Sequence, residues 1–413
     1  MNITVVGGGN IGTQFAVHSA EKGHSVTMFT SSPDHFSHHL SIVDKNGCVI
    51  HEGDICKATN NPAEAFPGAD MIMITMPPTM LIPLAEIIYD NTDSHTIIGF
   101  VPGNGGFEFI FKDFLDRGNV LFAIDRVPAI ARLTERGRSV CCSGYKDNLF
   151  VAALPSEHTE TCAALIQSIY DIECVRLPGF MALTLTPSNP ILHTARLKTI
   201  FKDYEPGVTY DSLPLFYEEW DDESSELLMA CDDEIQAICK ALPEFGLEYV
   251  VSEREFYNAN TPQEMTQAIT TEESLLGLTA PSVHADTISV KGRGLSGHRT
   301  ERKQSKPHIE EHMERRARWR DEREEKKHRH EIKENVNRAA LIPDLHSRYF
   351  VADFPYGLTV IYQIGLLAGI DMPNIKGLLD WYEEIAIIND QLFLSDYGIT
   401  NLDELRDFYL GSH

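Results

Sequence analysis

The chain has 413 residues and a formal net charge of −26. That length allows two domains and a sizeable core, and the acidic balance argues against nucleic acid as the general partner. No run reaches the ~18 uninterrupted apolar residues of a membrane span, and the N-terminus enters a strand at once rather than a charged and then apolar leader, so a soluble, cytoplasmic protein is expected. The eight cysteines (48, 56, 141, 142, 162, 174, 231 and 239) are scattered and none forms C-x-x-C. They read as reduced and mostly buried, not as a disulfide framework or a metal site.

In chain order, residues 3–12 read ITVVGGGNIG, an apolar β-branched run leading into Gly7, Gly9 and Gly12. An amphipathic run from Gln14 to Lys22 follows, and a second strand pattern, Ser25 to Thr30, closes the unit. Strand, glycine turn, helix and strand within about thirty residues is the setting that gives G-x-G-x-x-G its meaning as a dinucleotide-binding turn. Gly7 permits the tight turn, Gly9 the approach of a pyrophosphate, and Gly12 close packing of helix on strand. The helix N-terminus then faces the phosphates. Gly7, Gly9, Asn10, Ile11 and Gly12 are the expected cofactor contacts.

Strand two ends at Thr30-Ser31-Ser32, where an NAD-binding unit usually has Asp or Glu for the ribose 2′-hydroxyl. A carboxylate there would repel a 2′-phosphate, whereas hydroxyls donate to it. The reading therefore leans to NADPH, with NADH as the other candidate. No Arg follows; Lys45 and the group His35, His38 and His39 are the nearest basic candidates. Those histidines also raise a metal site, but the pattern favours a solvated helix start, and no metal is expected.

Asp70–Met76 is a buried strand ending at Pro77-Pro78, and Pro77 joins the expected cofactor contacts. A helix through Leu84–Tyr89 and a strand at Thr96–Val101 lead into Pro102-Gly103-Asn104-Gly105-Gly106, a second glycine-rich turn on the nicotinamide side. Asn119–Ile124, Ser139–Cys142 and Leu149–Leu154 are later short strands. The pattern predicts an α/β fold, a parallel, doubly wound Rossmann-type sheet over residues 1–184. After about residue 185 the strand signal fades. Leu215–Leu242, Thr261–Leu276, Gly357–Ala368 and Asn374–Ile388 read as helices. An all-helical C-terminal domain over 185–413 is predicted, with function at the cleft between the two halves.

Two segments of the helical half read as more than packing: Thr186–His193 (TPSNPILH) and Ser347–Leu358 (SRYFVADFPYGL). With them the chain resembles the opine dehydrogenase family, of the octopine and nopaline type. In that family an N-P-x-x-H segment opens the helical domain and carries the catalytic histidine, and a late loop supplies an Arg with an Asp five residues on. Asn189, Pro190 and His193 match the first, Arg348 and Asp353 the second. The glycine loop is common to many dehydrogenases; the paired late motifs are more specific. The resemblance spans nearly the whole chain and implies a helical domain like that of 6-phosphogluconate-dehydrogenase-type enzymes. It also implies reductive condensation of an α-keto acid with the amino group of an amino acid, hydride going to the imine carbon.

The residue types suit that chemistry. His193 would exchange a proton with the departing carbonyl oxygen. Asp353 would hold one ring nitrogen and stabilise the imidazolium. Arg348 would grip a carboxylate through two parallel N–H bonds. Asn189 would anchor the loop or a substrate carboxylate. Each of these also has an ordinary structural reading, a packed His and a local Arg–Asp ion pair. Asp221, Asp222, Glu223, Glu226, Glu272 and Glu273 would either receive a cationic amino acid or form a solvated acidic face.

One block is foreign to the rest. Lys291–Arg338 carries 16 basic against 10 acidic residues, a balance of +6, against −32 for the remainder. Its first part, to Pro307, reads as a disordered linker. Glu310–Asn335 reads as an exposed helix with Glu311–Arg315, Glu314–Arg318, Glu322–Lys326 and Glu325–Arg329 pairs worth ~0.2–0.5 kcal/mol each. The resemblance skips the block, so it reads as an insertion at about 287–339: a functional one, a docking arm for an acidic partner or nucleic acid, or an artefact of the gene model. Two other functions stay open. One is a two-domain dehydrogenase acting on a hydroxy or keto acid without an amine. The other is a non-catalytic NADPH sensor. The sequence leaves a homo-oligomer open as well.

Overall fold

The computed structural model describes residues 1–103, 105–186, 189–272, 275–285, 340–386 and 391–411. The expectations for the basic block, Asn104 and Glu273 lie outside the described residues.

The N-terminal half forms two sheets. Strands β1 (Asn2–Val6), β2 (Ser25–Phe29), β3 (His39–Val43), β4 (Val49–Asp54), β5 (Lys57–Thr59) and β6 (Met71–Ile74) come first. They are followed by β7 (Ile97–Phe100), β8 (Leu121–Ile124), β9 (Ile130–Glu135), β10 (Ser139–Ser143), β11 (Asn148–Leu154) and β12 (Glu173–Arg176). Eight of them run in the order β12-β11-β8-β7-β6-β1-β2-β5. Pairing is parallel throughout except between β11 and β8. Helices cover both faces, so strands such as β6 (MIMI) are buried from end to end. The chain leaves β1 for β2 on one side and returns to β6 on the other. That reversal opens a crevice at the carboxyl ends of β1 and β6, where an open α/β sheet binds its ligand.

The second sheet was not foreseen. β4-β3-β10-β9 forms a separate four-stranded unit, and β10, expected in the main sheet, belongs to it. Its members alternate buried and exposed residues, and so short a pattern does not say which sheet a strand will join. Behind the first helix, His18, Glu21 and His51 bring ligand atoms within 4.8 Å of one another. His51 Nδ1 is 2.9 Å from Glu21 Oε2, and His18 Nε2 is 3.0 Å from the Tyr145 hydroxyl. Desolvation, with neighbouring charge, pulls the His18 pKa down to about 3. The eight cysteines are all free: three buried, three half-buried, and Cys48 and Cys56 exposed, so fewer are buried than expected.

The C-terminal half is helical, with one antiparallel strand pair among the described residues, Ser282–His284 on Leu341–Pro343. The Ala285 N–H donates to the Ala340 carbonyl at 2.9 Å, so these two residues lie side by side. The predicted helix Leu215–Leu242 begins only at Asp222. Asp221 caps it by accepting from the Ser224 N–H, and residues before the cap are drawn off by the Phe216 N–H bond to the Leu278 carbonyl. The expected late loop is helical too. Tyr349–Leu358 winds as a π-helix around Pro355 and continues as an α-helix to Leu367. This Tyr349–Leu367 stretch is long and apolar enough to cross a membrane by length and composition, but 61% of it is buried inside the protein. The helix Leu402–Leu410 returns to the first half: Phe408 stacks on Phe109 at 5.0 Å and the Tyr409 hydroxyl donates to buried Glu108 at 2.8 Å.

Candidate active site

The glycine loop shows three different steric demands. Gly7 sits at φ +109°, where side chains are strained. A Cβ on Gly12 would lie 1.7 Å from the Gly7 carbonyl oxygen, so only glycine lets the helix start this close to β1. A Cβ on Gly9 would meet nothing within 4 Å, because Gly9 faces the open crevice. The helix beginning at Asn10 and Ile11 points its free N–H groups the same way. Asn10 also anchors a neighbouring strand. Its side-chain oxygen accepts from the Leu133 N–H at 2.9 Å, tying β9 to the loop.

At the tip of β2, the Thr30 hydroxyl accepts from the Ser32 N–H at 3.4 Å, and Ser31 is exposed. The basic group missing from the sequence reading arrives from the second sheet: Arg136 Nη2 donates to Ser32 Oγ at 3.1 Å. More than a hundred residues separate the two, and no local pattern announces the contact. His39 is instead held by Asp54 at 2.8 Å. Across the crevice, Pro77 precedes a short turn, Pro78–Met80. A Cβ on Gly105 would lie 2.8 Å from Pro78 and 4.0 Å from Tyr356, so the second glycine turn is wedged between the crevice and the π-helix.

The helical half brings the two late motifs together. His193 lies on the helix Asn189–Ile200 and is 2% exposed. Its Nδ1 is 2.7 Å from Asp353 Oδ2 and its Nε2 is 2.9 Å from the Tyr217 hydroxyl. With the carboxylate on Nδ1, that nitrogen carries the proton, and Nε2 accepts from the phenol. Burial, with Tyr349 and Tyr257 nearby, pushes the Tyr217 pKa well up, so Tyr217 is a neutral phenol that can both donate and accept.

Close crossing of two segments makes this possible. A Cβ on Gly357 would lie 2.6 Å from Pro190, so glycine there lets the π-helix lie against the start of the His193 helix. Bonds from i to i+5 also set residues five apart near one another, bringing Arg348 and Asp353 toward one side. Arg348 does not pair with Asp353; among the described residues it makes no ion pair. Its exposed guanidinium lies 5.4 Å over the Tyr349 ring, which meets His193 edge-on at 4.5 Å.

Tyr217 is the residue the sequence reading missed, because it fell within a predicted helix. Arg196, 1% exposed and three residues past His193, holds its loop: Nε donates to the Phe216 carbonyl at 3.0 Å and Nη1 to Asp221 at 2.9 Å. The acidic candidates for a cationic amine are largely taken up by structure. Asp221 binds Arg196, Asp222 accepts from Thr266 at 2.7 Å, Glu223 pairs with Lys202 at 2.6 Å, and Glu226 lies exposed.

Known proteins share this plan. Residues 2–101 match the N-terminal domain of NAD-dependent glycerol-3-phosphate dehydrogenase. Residues 176–386 match the α-helical domain of NAD/NADP octopine/nopaline dehydrogenase. An uncharacterized protein of Sinorhizobium fredii is 30% identical over 259 residues, 58% of this chain and 68% of that protein. Octopine dehydrogenase of Mizuhopecten yessoensis is 23% identical over 98% of this chain and 94% of its own. A solved octopine dehydrogenase holding NADH and pyruvate superposes with a TM-score of 0.72 at 20% identity, over 100% of this chain and 99% of the other. With a matched helical domain that takes up half its length, this chain belongs to the NAD/NADP octopine/nopaline dehydrogenase family, opine dehydrogenases that act as nicotinamide-dependent oxidoreductases on CH–NH donors.

Proposed function

We propose that this opine dehydrogenase condenses an α-keto acid with the amino group of an amino acid, using NADPH, at the buried Asp353–His193–Tyr217 chain. Residues 1–184 serve as the cofactor unit and residues 185–413 as the substrate unit. The observation that carries the reading is the unbroken hydrogen-bonded run of 2.7 and 2.9 Å through one imidazole. Three residues widely spaced in sequence meet there beside Arg348, which makes no ion pair among the described residues.

The chemistry gives each residue a role. When bound, the nicotinamide supplies hydride to the imine carbon. Gly7, Gly9, Asn10, Ile11 and Gly12 cradle the pyrophosphate, Pro77 borders the nicotinamide side, and Thr30, Ser31 and Ser32 meet the adenosine ribose. Arg348 orients the keto acid by its carboxylate, and Asn189, one turn before His193 on the same helix, contacts a substrate carboxylate. As the amine adds and water leaves, the carbonyl oxygen needs a proton. The Tyr217 hydroxyl delivers it and is refilled from Nε2 of His193 in its imidazolium form, whose positive charge Asp353 stabilises; the transfer leaves the ring neutral, with its remaining proton on Nδ1 facing Asp353. The absence of a carboxylate at the tip of β2 favours NADPH over NADH. A cytoplasmic site of action belongs to the same reading, and the eight free thiols suit a reducing compartment.

The test is NADPH oxidation with a panel of keto acids, each with and without amino acids. Turnover that requires the amine supports condensation. Turnover indifferent to the amine replaces it with plain reduction of a keto acid.

A further inference from the structure

We propose that Arg136, carried on the β9–β10 hairpin of the second sheet, selects NADPH by gripping the ribose 2′-phosphate. The inference rests on the NADPH reading above and names the residue that enforces it.

The tip of β2 offers hydroxyls and no carboxylate, so it does not repel a phosphate, but hydroxyls alone give that dianion no counter-charge. The Arg136 guanidinium supplies it, 3.1 Å from Ser32 Oγ. Among the described residues Arg136 makes no ion pair. The neighbouring carboxylate of Glu135 is taken by Arg138 at 3.3 Å, and the Arg136 bond from Nη2 to Ser32 Oγ leaves the other N–H groups of its fork for a ligand. A planar guanidinium matches two phosphate oxygens at once, and Ser32 Oγ stands where it can donate to a third.

The hairpin is fixed in place by the cofactor loop itself. Leu133 N–H donates to Asn10 Oδ1 at 2.9 Å. Ser37 N–H donates to the Gly137 carbonyl at 2.8 Å, and Ser41 N–H to the Arg138 carbonyl at 2.9 Å. Gly137, next to Arg136, sits at φ +71°, and a Cβ there would lie 2.1 Å from the His35 carbonyl oxygen. Only glycine lets the turn press against residues 35–37. Phe36 in turn packs on the glycine loop, its ring 2.5 Å from where a Gly8 Cβ would be. Glycine loop, residues 33–37 and hairpin form one stack, so Arg136 is held in register with the phosphate cradle and its placement costs little entropy on binding.

The experiment is the affinity of the full-length protein for NADPH and for NADH, read by cofactor fluorescence, in wild type, Arg136→Ala and Arg136→Lys. Wild type is expected to bind NADPH at least ~10-fold more tightly than NADH. Arg136→Ala should weaken NADPH by ~10–100-fold, the range of a charge-assisted hydrogen-bonded pair, and leave NADH within about twofold. Arg136→Lys should recover part of the loss. Wild type preferring NADH would overturn the NADPH reading itself. Wild type preferring NADPH, with Arg136→Ala weakening neither cofactor or both equally, would overturn the role of Arg136 alone.

Discussion

The two halves of the molecule build their sites in opposite ways. The cofactor crevice is made of backbone: three glycines, a helix start and the ends of two strands, most of it within thirty residues of sequence. The proposed acid–base centre is made of side chains from positions 193, 217 and 353, brought together by a helix, a capped loop and a π-helix. A backbone site is specified locally and sterically, so it is legible in a short motif. A side-chain site depends on how distant segments cross, and a short motif does not report that.

Breaking one half without the other tests this contrast. The largest effect is expected at His193. His193→Ala should lower kcat by ~10²–10⁴-fold while NADPH affinity stays unchanged, because the cradle has no contribution from that side chain. Loss of cofactor binding in this variant would show that the halves are not separable. Arg348→Lys comes next. It keeps the charge but loses the two-pronged grip, so KM for the keto acid should rise by about tenfold, and an unaltered KM and kcat would assign Arg348 to the surface.

A smaller effect concerns stability. Glu253, buried beside Asp232, has its pKa pushed up to about 8 by desolvation and then by the neighbouring carboxylate. The folded state therefore holds a proton that the unfolded chain, titrating near the usual ~4.5, releases earlier. Stability from this group is complete below that unfolded value and is lost as pH rises through about 8. Glu253→Gln should flatten the fall of Tm between pH 5 and 9 (a few kcal/mol at most), and parallel Tm curves would remove Glu253 from the balance.

The limits of sequence reading follow from the same contrast. The first βαβ unit and the helical second half were legible from their patterns, and His193, Arg348 and Asp353 could be singled out as candidates because each sits in a motif with its own spacing. His193 and Asp353 are in direct contact, and Arg348 does not form the local ion pair with Asp353 that was the ordinary alternative to a substrate-binding role. Three features were hidden. The second sheet was hidden because β3, β9 and β10 are short and half-buried. Arg136 was hidden because its partner lies more than a hundred residues away. Tyr217 was hidden because the periodicity of Leu215–Leu242 runs through a cap at Asp221 that only tertiary contacts enforce. The π-helix was unreadable for a related reason: Pro355 argues against any helix from sequence alone, and the turn is wide enough to take it.

The most direct measurement is the pH profile of kcat for Tyr217→Phe, which removes one oxygen from the proton chain and leaves the ring. The account predicts a loss of at least ~10-fold with an altered profile, at unchanged NADPH affinity. A kcat and profile matching wild type would contradict it and leave the Asp353–His193 pair without its route to the substrate.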